Sequence, residues 1–248
     1  TMNITQKTPF GSISGASSAT VLSEKTLPNG SPAVTLLPSE GLTVTWANNT
    51  LMNYQGSVKA KVADWVEGTL SISGVAAGDT FSGGLVGALV GEKEMGKLKL
   101  VPGGAVSVDV AANNPRFIKG DIPFEYRGEQ IELGGVVKAT ESQRLQAING
   151  QVTGASVIGE KATGGGFTIK EGGAVDTPMQ ASLINNIGGS VNFEWGDQGT
   201  PWIEGALAIE GQANPFSMNG DFTGKITKET PVTAGLKLMP GAGLAGTV

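Results

Sequence analysis

The 248-residue chain contains neither cysteine nor histidine. Without cysteine it forms no disulfide and has no thiol nucleophile, and without both residue types it lacks the usual zinc ligands. Histidine is the side chain whose ordinary pKa lies near neutrality, so a general base here would have to be a carboxylate or lysine with a shifted pKa. Catalysis by Ser-His-Asp or Cys-His groups is excluded. The sequence predicts a non-enzymatic protein that uses no metal or cofactor.

Charged and aromatic side chains are also scarce, at 16% and 6% of the residues, and the net charge is −5. The arginines, Arg116, Arg127 and Arg144, leave few donors for bidentate recognition of bases or phosphates. Sequence-specific binding of nucleic acid is therefore not expected. An apolar stretch without charge, residues 80–91, contains four glycines and is too short to span a bilayer as a helix.

Glycine, in contrast, is abundant, with 39 residues, roughly twice its ordinary share. Together with proline and asparagine it separates short stretches in which apolar and polar residues alternate, such as Leu42 to Trp46 and Leu207 to Ile209. This alternation indicates half-buried strands joined by tight turns. Helical patterns are weak and limited to residues 141–148 and 178–185. We therefore predict an all-β fold.

An internal duplication is visible in the sequence. WVEGTLSISG begins at Trp65 and WIEGALAIEG at Trp202, and six of the ten positions are identical. Three more pairs of blocks occur in the same order: GSISGAS at Gly11 and GQVTGAS at Gly150, GSV at Gly56 and Gly189, LKLVPG at Leu98 and LKLMPG at Leu236. Four blocks in one order indicate two copies of one module.

The duplication predicts the domain organisation. Residues 1–110 and 140–248 are each long enough for a core and are expected to form a similar β-sandwich or β-barrel. Residues 1–9 form an extended N-terminal arm. Residues 111–139 are a connector, in which alternating stretches on either side of a turn at 127–129 predict a hairpin.

Trp65 and Trp202 open the best-matched blocks. They are either core anchors of the repeated module or exposed stacking platforms for a sugar or a base, and we favour core anchors because the whole strand is repeated with them. Glu67 and Glu204 follow two residues later, on the face of the tryptophan if the strand alternates. A glycosidase would need two such carboxylates across one cleft.

Aromatic residues outside the repeated blocks are candidates for binding a partner. Phe124 and Tyr126 lie in the predicted hairpin of the connector, and we expect them to point to opposite faces, one packed on a module and the other available to a partner. Phe10 lies at the end of the N-terminal arm. Arm and hairpin are both suited to adding a strand to a neighbour's sheet.

The favoured function is a structural subunit of a large symmetric assembly. Two similar modules per chain allow a trimer to form a ring of six modules. A phage virion protein, either a tail tube or a capsid decoration protein assembled in the host cytoplasm, fits this symmetry. The negative charge also fits, because an acidic tube wall does not bind DNA.

Other functions stay open. One alternative is an exported subunit of a fimbria or filament, or an adhesin, secreted or held at the cell surface. Another is a carbohydrate-binding module, which requires an exposed aromatic platform. A third is a lipid-conducting β-groove, which requires a long sheet with an open apolar face.

Overall fold

The computed structural model describes residues 2–4, 12–28, 30–75, 80–143, 147–197, 199–213, 216–233 and 235–247. These residues form β-strands and no helix, so none of them belongs to a helix that is long and apolar enough to cross a membrane. The all-β prediction is confirmed. The strands are β1 (Met2–Ile4), β2 (Gly15–Val21), β3 (Lys25–Thr26), β4 (Val34–Leu36), β5 (Ser39–Ala47), β6 (Thr50–Val62), β7 (Val66–Val75), β8 (Thr80–Leu89), β9 (Lys93–Met95), β10 (Leu98–Leu100), β11 (Gly103–Ala111), β12 (Asn114–Arg127), β13 (Glu132–Gln143), β14 (Gly150–Gly159), β15 (Lys161–Gly164), β16 (Phe167–Gln180), β17 (Leu183–Ile184), β18 (Asn186–Asp197), β19 (Thr200–Ala213), β20 (Phe216–Ile226), β21 (Thr230–Thr233), β22 (Leu236–Leu238) and β23 (Gly243–Thr247).

Two compact units divide the chain. Unit 1 consists of Thr1–Lys93, Val101–Ile122 and Thr140–Gln146, and unit 2 consists of Glu94–Leu100, Pro123–Ala139 and Ala147–Val248. The predicted connector is therefore shared between the units. Its strands β12 and β13 flank the predicted turn, where the Gly128 N–H donates to the Ile131 carbonyl oxygen at 2.9 Å.

Antiparallel pairing builds a large sheet in unit 1. Its strand order is β1-β2-β5-β6-β7-β8-β11-β12, and β4 pairs with β6 while β3 pairs with β4. A row of apolar residues crosses this sheet on its buried face, each at most 1% exposed: Val58, Leu70, Leu85, Val108 and Ile118. Because side chains alternate along each strand, one face of the sheet carries the core.

Unit 2 repeats this plan with the order β13-β14-β16-β18-β19-β20-β23, and β15 and β17 both pair with β16. In the same unit β10 pairs with the C-terminal part of β12, and β21 pairs with β22. Phe193 is central to the core: its ring stacks on Phe167 at 5.1 Å and meets the edge of Phe222 at 5.8 Å.

Three hairpins close through the same two-residue turn, with positive φ at both residues as in type I′ turns. These turns are Asn48-Asn49, Ala112-Asn113 and Ala181-Ser182. The second residue of each turn holds a further strand, because its backbone N–H and its side-chain oxygen bind the C=O and the N–H of one residue there. The residues held in this way are Ile13, Phe81 and Ile148.

The last of these turns corrects a local prediction. Residues 178–185 have a weak helical pattern, but they form the end of β16, the turn and β17. Positive φ values of 49° at Ala181 and 65° at Ser182 are incompatible with a right-handed helix. The tertiary contact of Ser182 with Ile148, at 2.9 Å through its hydroxyl, overrides the local pattern.

Candidate functional site

The two units share one cross-strand register. Val58 pairs with Leu70, Leu70 with Leu85, and Leu85 with Val108. The equivalent row in unit 2 is Val191, Leu207, Phe222 and Gly246. The sequence offsets along this row, 133, 137, 137 and 138 residues, agree with those of the GSV, tryptophan and LKL blocks. Three of the four sequence blocks therefore occupy equivalent positions in the sheets.

The fourth block is wrongly aligned. GSISGAS and GQVTGAS are 139 residues apart in sequence. In the sheets Ala19 pairs with Leu42, and Ala155 pairs with Val175, so Ala19 and Ala155 are equivalent at an offset of 136 residues. Bulges in both strand pairs shift the register locally, and short Gly-Ala-Ser stretches resemble one another too easily to fix it.

The repeated tryptophans lie in different environments. Trp65 is 6% exposed and lies in the turn before β7. Trp202 is 37% exposed, lies within β19, and its indole N–H donates to Asp197 Oδ2 at 3.3 Å. The difference follows from the longer hairpin between β18 and β19, which carries Trp202 beyond the position that Trp65 occupies. Trp195 on β18 is also exposed, at 41%, and its indole N–H donates to the Gly165 carbonyl oxygen.

Glu67 and Glu204 each pair with a lysine in their own unit. Glu67 lies 3.8 Å from Lys61, and Glu204 lies 2.8 Å from Lys225. The hydrogen bond to Glu204, and then the charge of that carboxylate, raise the pKa of Lys225. Both glutamates thus form ion pairs on exposed surfaces, an arrangement that stabilises a sheet weakly and needs no catalytic role.

A charge ladder continues from Glu204 across the outer face of unit 2. Glu194 lies opposite Glu204 on the neighbouring strand, and Lys170 bridges Glu194 at 3.4 Å and Glu160 at 2.5 Å. The hydrogen bond to Glu160 raises the pKa of Lys170 and outweighs the opposing effect of desolvation. This ladder lines an open depression together with Phe193 and Thr223, among others. Its lysines offset the repulsion between the facing carboxylates.

Phe124 and Tyr126 are buried in unit 2, at 1% and 0% exposure. The prediction that they point to opposite faces is wrong, because residues two positions apart in a strand share a face. They lie opposite Leu100 and Leu98 of β10. The Tyr126 hydroxyl has no hydrogen-bond partner, and its burial, followed by the charge of Glu129, raises its pKa.

Neither of these buried aromatic side chains is exposed to a partner. Phe10, the third residue predicted to bind one, lies outside the described residues. The two faces of the proposed interaction site on the connector therefore reduce to one buried face, which covers β10.

The clearest difference between the two copies lies in the LKL block, which the sequence analysis used only as a marker of the repeat. In the first copy Leu98 and Leu100 are 1% and 0% exposed. In the second copy Leu236 is 55% exposed, and Met239 just after it is 58% exposed. We call β22, β23 and Met239 together the β22–β23 surface. It is the candidate interaction site of this chain.

The described part of the chain holds no group of three or more acidic side chains placed to bind a metal ion. Comparisons with protein-family models, with curated proteins and with solved structures give no match. Function is therefore inferred from register, burial and charge.

Proposed function

We propose that this protein is a non-enzymatic structural subunit of a large symmetric assembly, and that the assembly is a phage virion part, either a tail tube or a capsid decoration. The observation that supports this proposal is the shared register of the two units. A chain with two equivalent units presents two equivalent sets of contacts, as symmetric assemblies require. The proposed location is the virion, assembled in the host cytoplasm.

We further propose that each copy is a module of the sandwich or barrel type. Each unit has its own row of buried apolar residues, with Leu70 and Leu85 at 0% exposure in unit 1 and Val191 at 0% in unit 2. Buried apolar faces of this kind do not favour the open apolar groove of a lipid-conducting protein. Three chains with two modules each make a ring with pseudo-sixfold symmetry.

The charge of the chain supports the tail-tube form. With a net charge of −5 and its lysines largely engaged in ion pairs such as Lys161–Glu132 at 2.7 Å, the protein offers little attraction to phosphate. A wall that repels DNA lets DNA pass through it.

The experiment is sedimentation velocity over a wide range of concentrations, combined with electron microscopy of negatively stained particles. We expect trimers or larger particles whose class averages show six similar densities around a ring. A single sedimenting species with the mass of one chain at every concentration, and no ring in micrographs, would refute self-assembly.

A carbohydrate-binding module is the second candidate, and one observation favours it. Trp195 and Trp202 are both exposed and lie on the paired strands β18 and β19 near one hairpin. Exposed aromatic rings are able to stack on sugars. Titration with a panel of oligosaccharides, followed by tryptophan fluorescence, tests it: a saturable signal that Trp202→Ala removes and Trp65→Phe retains supports this candidate, and no signal rejects it.

A further inference from the structure

One strand covers two others in the first copy. Residues 114–121 of β12 pair with β11, and residues 124–126 of the same strand pair with β10. The covered residues lie deep in the protein: Leu98, Leu100, Val106 and Val108 are all 3% exposed or less. A single extended strand with apolar residues at alternating positions, including Ile118, Ile122 and Phe124, thus buries both elements.

The second copy has the covered elements without the cover. Gly87 pairs with Val106 in unit 1, and Gly224 pairs with Leu244 in unit 2, so β23 is the equivalent of β11. Among the strands that the structure describes, β23 pairs with β20, and no strand takes the place that β12 has beside β11. The equivalent of buried Leu98 is Leu236, which is 55% exposed.

We propose that the β22–β23 surface binds an extended antiparallel strand from a neighbouring subunit, with the chemistry of β12. This inference rests on the proposed function, because the assembly supplies the neighbour. An open strand edge offers unpaired N–H and C=O groups, and an apolar strip beside it offers burial to alternate side chains of the incoming strand. The first copy shows which kind of element fits there.

The register of the first copy fixes that of the proposed contact. In unit 1 Leu98 faces Tyr126 and Leu100 faces Phe124, so Leu236 and Leu238 are each expected to face an aromatic residue of the incoming strand. Further along, Leu244 takes the place of Val106, which faces Gly120.

At the next apolar position unit 2 differs from unit 1. Gly246 replaces Val108, and a Cβ added there would lie 2.8 Å from Cε1 of Phe222. The half-buried Phe222 ring therefore supplies the apolar contact that Val108 makes to Ile118 in unit 1.

The test uses a fluorescent synthetic peptide with the sequence of residues 114–127, NPRFIKGDIPFEYR, titrated with the full chain and followed by anisotropy. We expect saturable binding. A peptide with serine in place of Ile118, Ile122 and Phe124 should not bind, because it keeps the length and the charges and loses the apolar side chains.

Two variants of the chain locate the site. Leu236→Asp should weaken binding about tenfold or more, since it places a charge against the aromatic end of the strand. Leu22→Asp is the control: Leu22 is 88% exposed and lies in unit 1, so binding should not change. Both substitutions are at exposed positions, and unchanged circular dichroism verifies the fold of each variant.

The outcomes separate this inference from the proposed function. Lack of binding, or binding that Leu236→Asp leaves intact, overturns the docking site even if sedimentation shows large particles. Self-association that Leu236→Asp abolishes, without any binding of the peptide, also overturns it, because the occupant is then another surface of a second copy. Peptide binding by a chain that never assembles supports the docking site and refutes the proposed function.

Discussion

The sharpest prediction compares two leucines that occupy the same place in the two copies. Leu98 is 1% exposed and lies opposite Tyr126, whereas Leu236 is 55% exposed. Truncating a fully buried leucine to alanine costs about 2–5 kcal/mol, through lost burial and the cavity that remains. Truncating a leucine that is largely exposed changes stability by about 0.5 kcal/mol or less. Leu98→Ala should therefore be at least about 1.5 kcal/mol more destabilising than Leu236→Ala.

Urea unfolding followed by circular dichroism and tryptophan fluorescence measures both variants against the unsubstituted chain. We expect a clear shift of the midpoint for Leu98→Ala in the transition that reports unit 2, because β10 belongs to that unit. Equal shifts for the two variants would refute the reasoning, since the LKL strands would then be covered to the same extent. A shift for Leu236→Ala alone would reverse the assignment of the covered copy.

Three further predictions concern single positions. Gly83→Ala should cost about 1–3 kcal/mol in thermal unfolding, because its Cβ would lie 1.8 Å from a backbone oxygen of β7, whereas Gly84→Ala, with nothing within 4 Å, should be nearly neutral. Asn113→Ala should cost about 1–3 kcal/mol and speed hydrogen exchange at the Phe81 amide, which loses its acceptor at 2.8 Å; unchanged exchange there would contradict the role of the turn. Tyr126→Phe should leave stability at pH 7 equal or higher, because the buried hydroxyl has no partner. Burial raises the pKa of Tyr126 above its ordinary 10.0, so the folded state keeps a proton that the unfolded state loses; stability should fall as pH rises past 10, and less so in Tyr126→Phe.

Much of the fold was predictable from the sequence, because alternation and turn residues act locally. Leu70 and Ile72 alternate with serines in β7, and both are buried, as period-two alternation predicts. The duplication was visible where glycines are required in both copies. A Cβ on Gly83 or on the equivalent Gly220 would collide with a backbone oxygen, at 1.8 Å and 1.7 Å. Close approach of strands therefore keeps these positions alike.

The candidate site was less predictable, because burial depends on which distant strand covers a residue. The LKL strands are almost identical in sequence, but Leu98 is covered by β12 and Leu236 is not. Trp202 differs from Trp65 because a longer hairpin displaces it. The faces of Phe124 and Tyr126 followed from their spacing alone, and strand geometry applied strictly would have placed them together.

The most direct test of the central claim, that unit 2 repeats unit 1 without its cover strand, is hydrogen exchange of β11 and β23 measured in the same sample. In the dissociated chain we expect the amides of Gly103–Ala111 to be protected and those of Gly243–Thr247 to exchange faster, and we expect the latter to slow on assembly or on binding of the β12 peptide. If Gly243–Thr247 is as protected as Gly103–Ala111 in the dissociated chain, or gains no protection when particles form, the claim is contradicted.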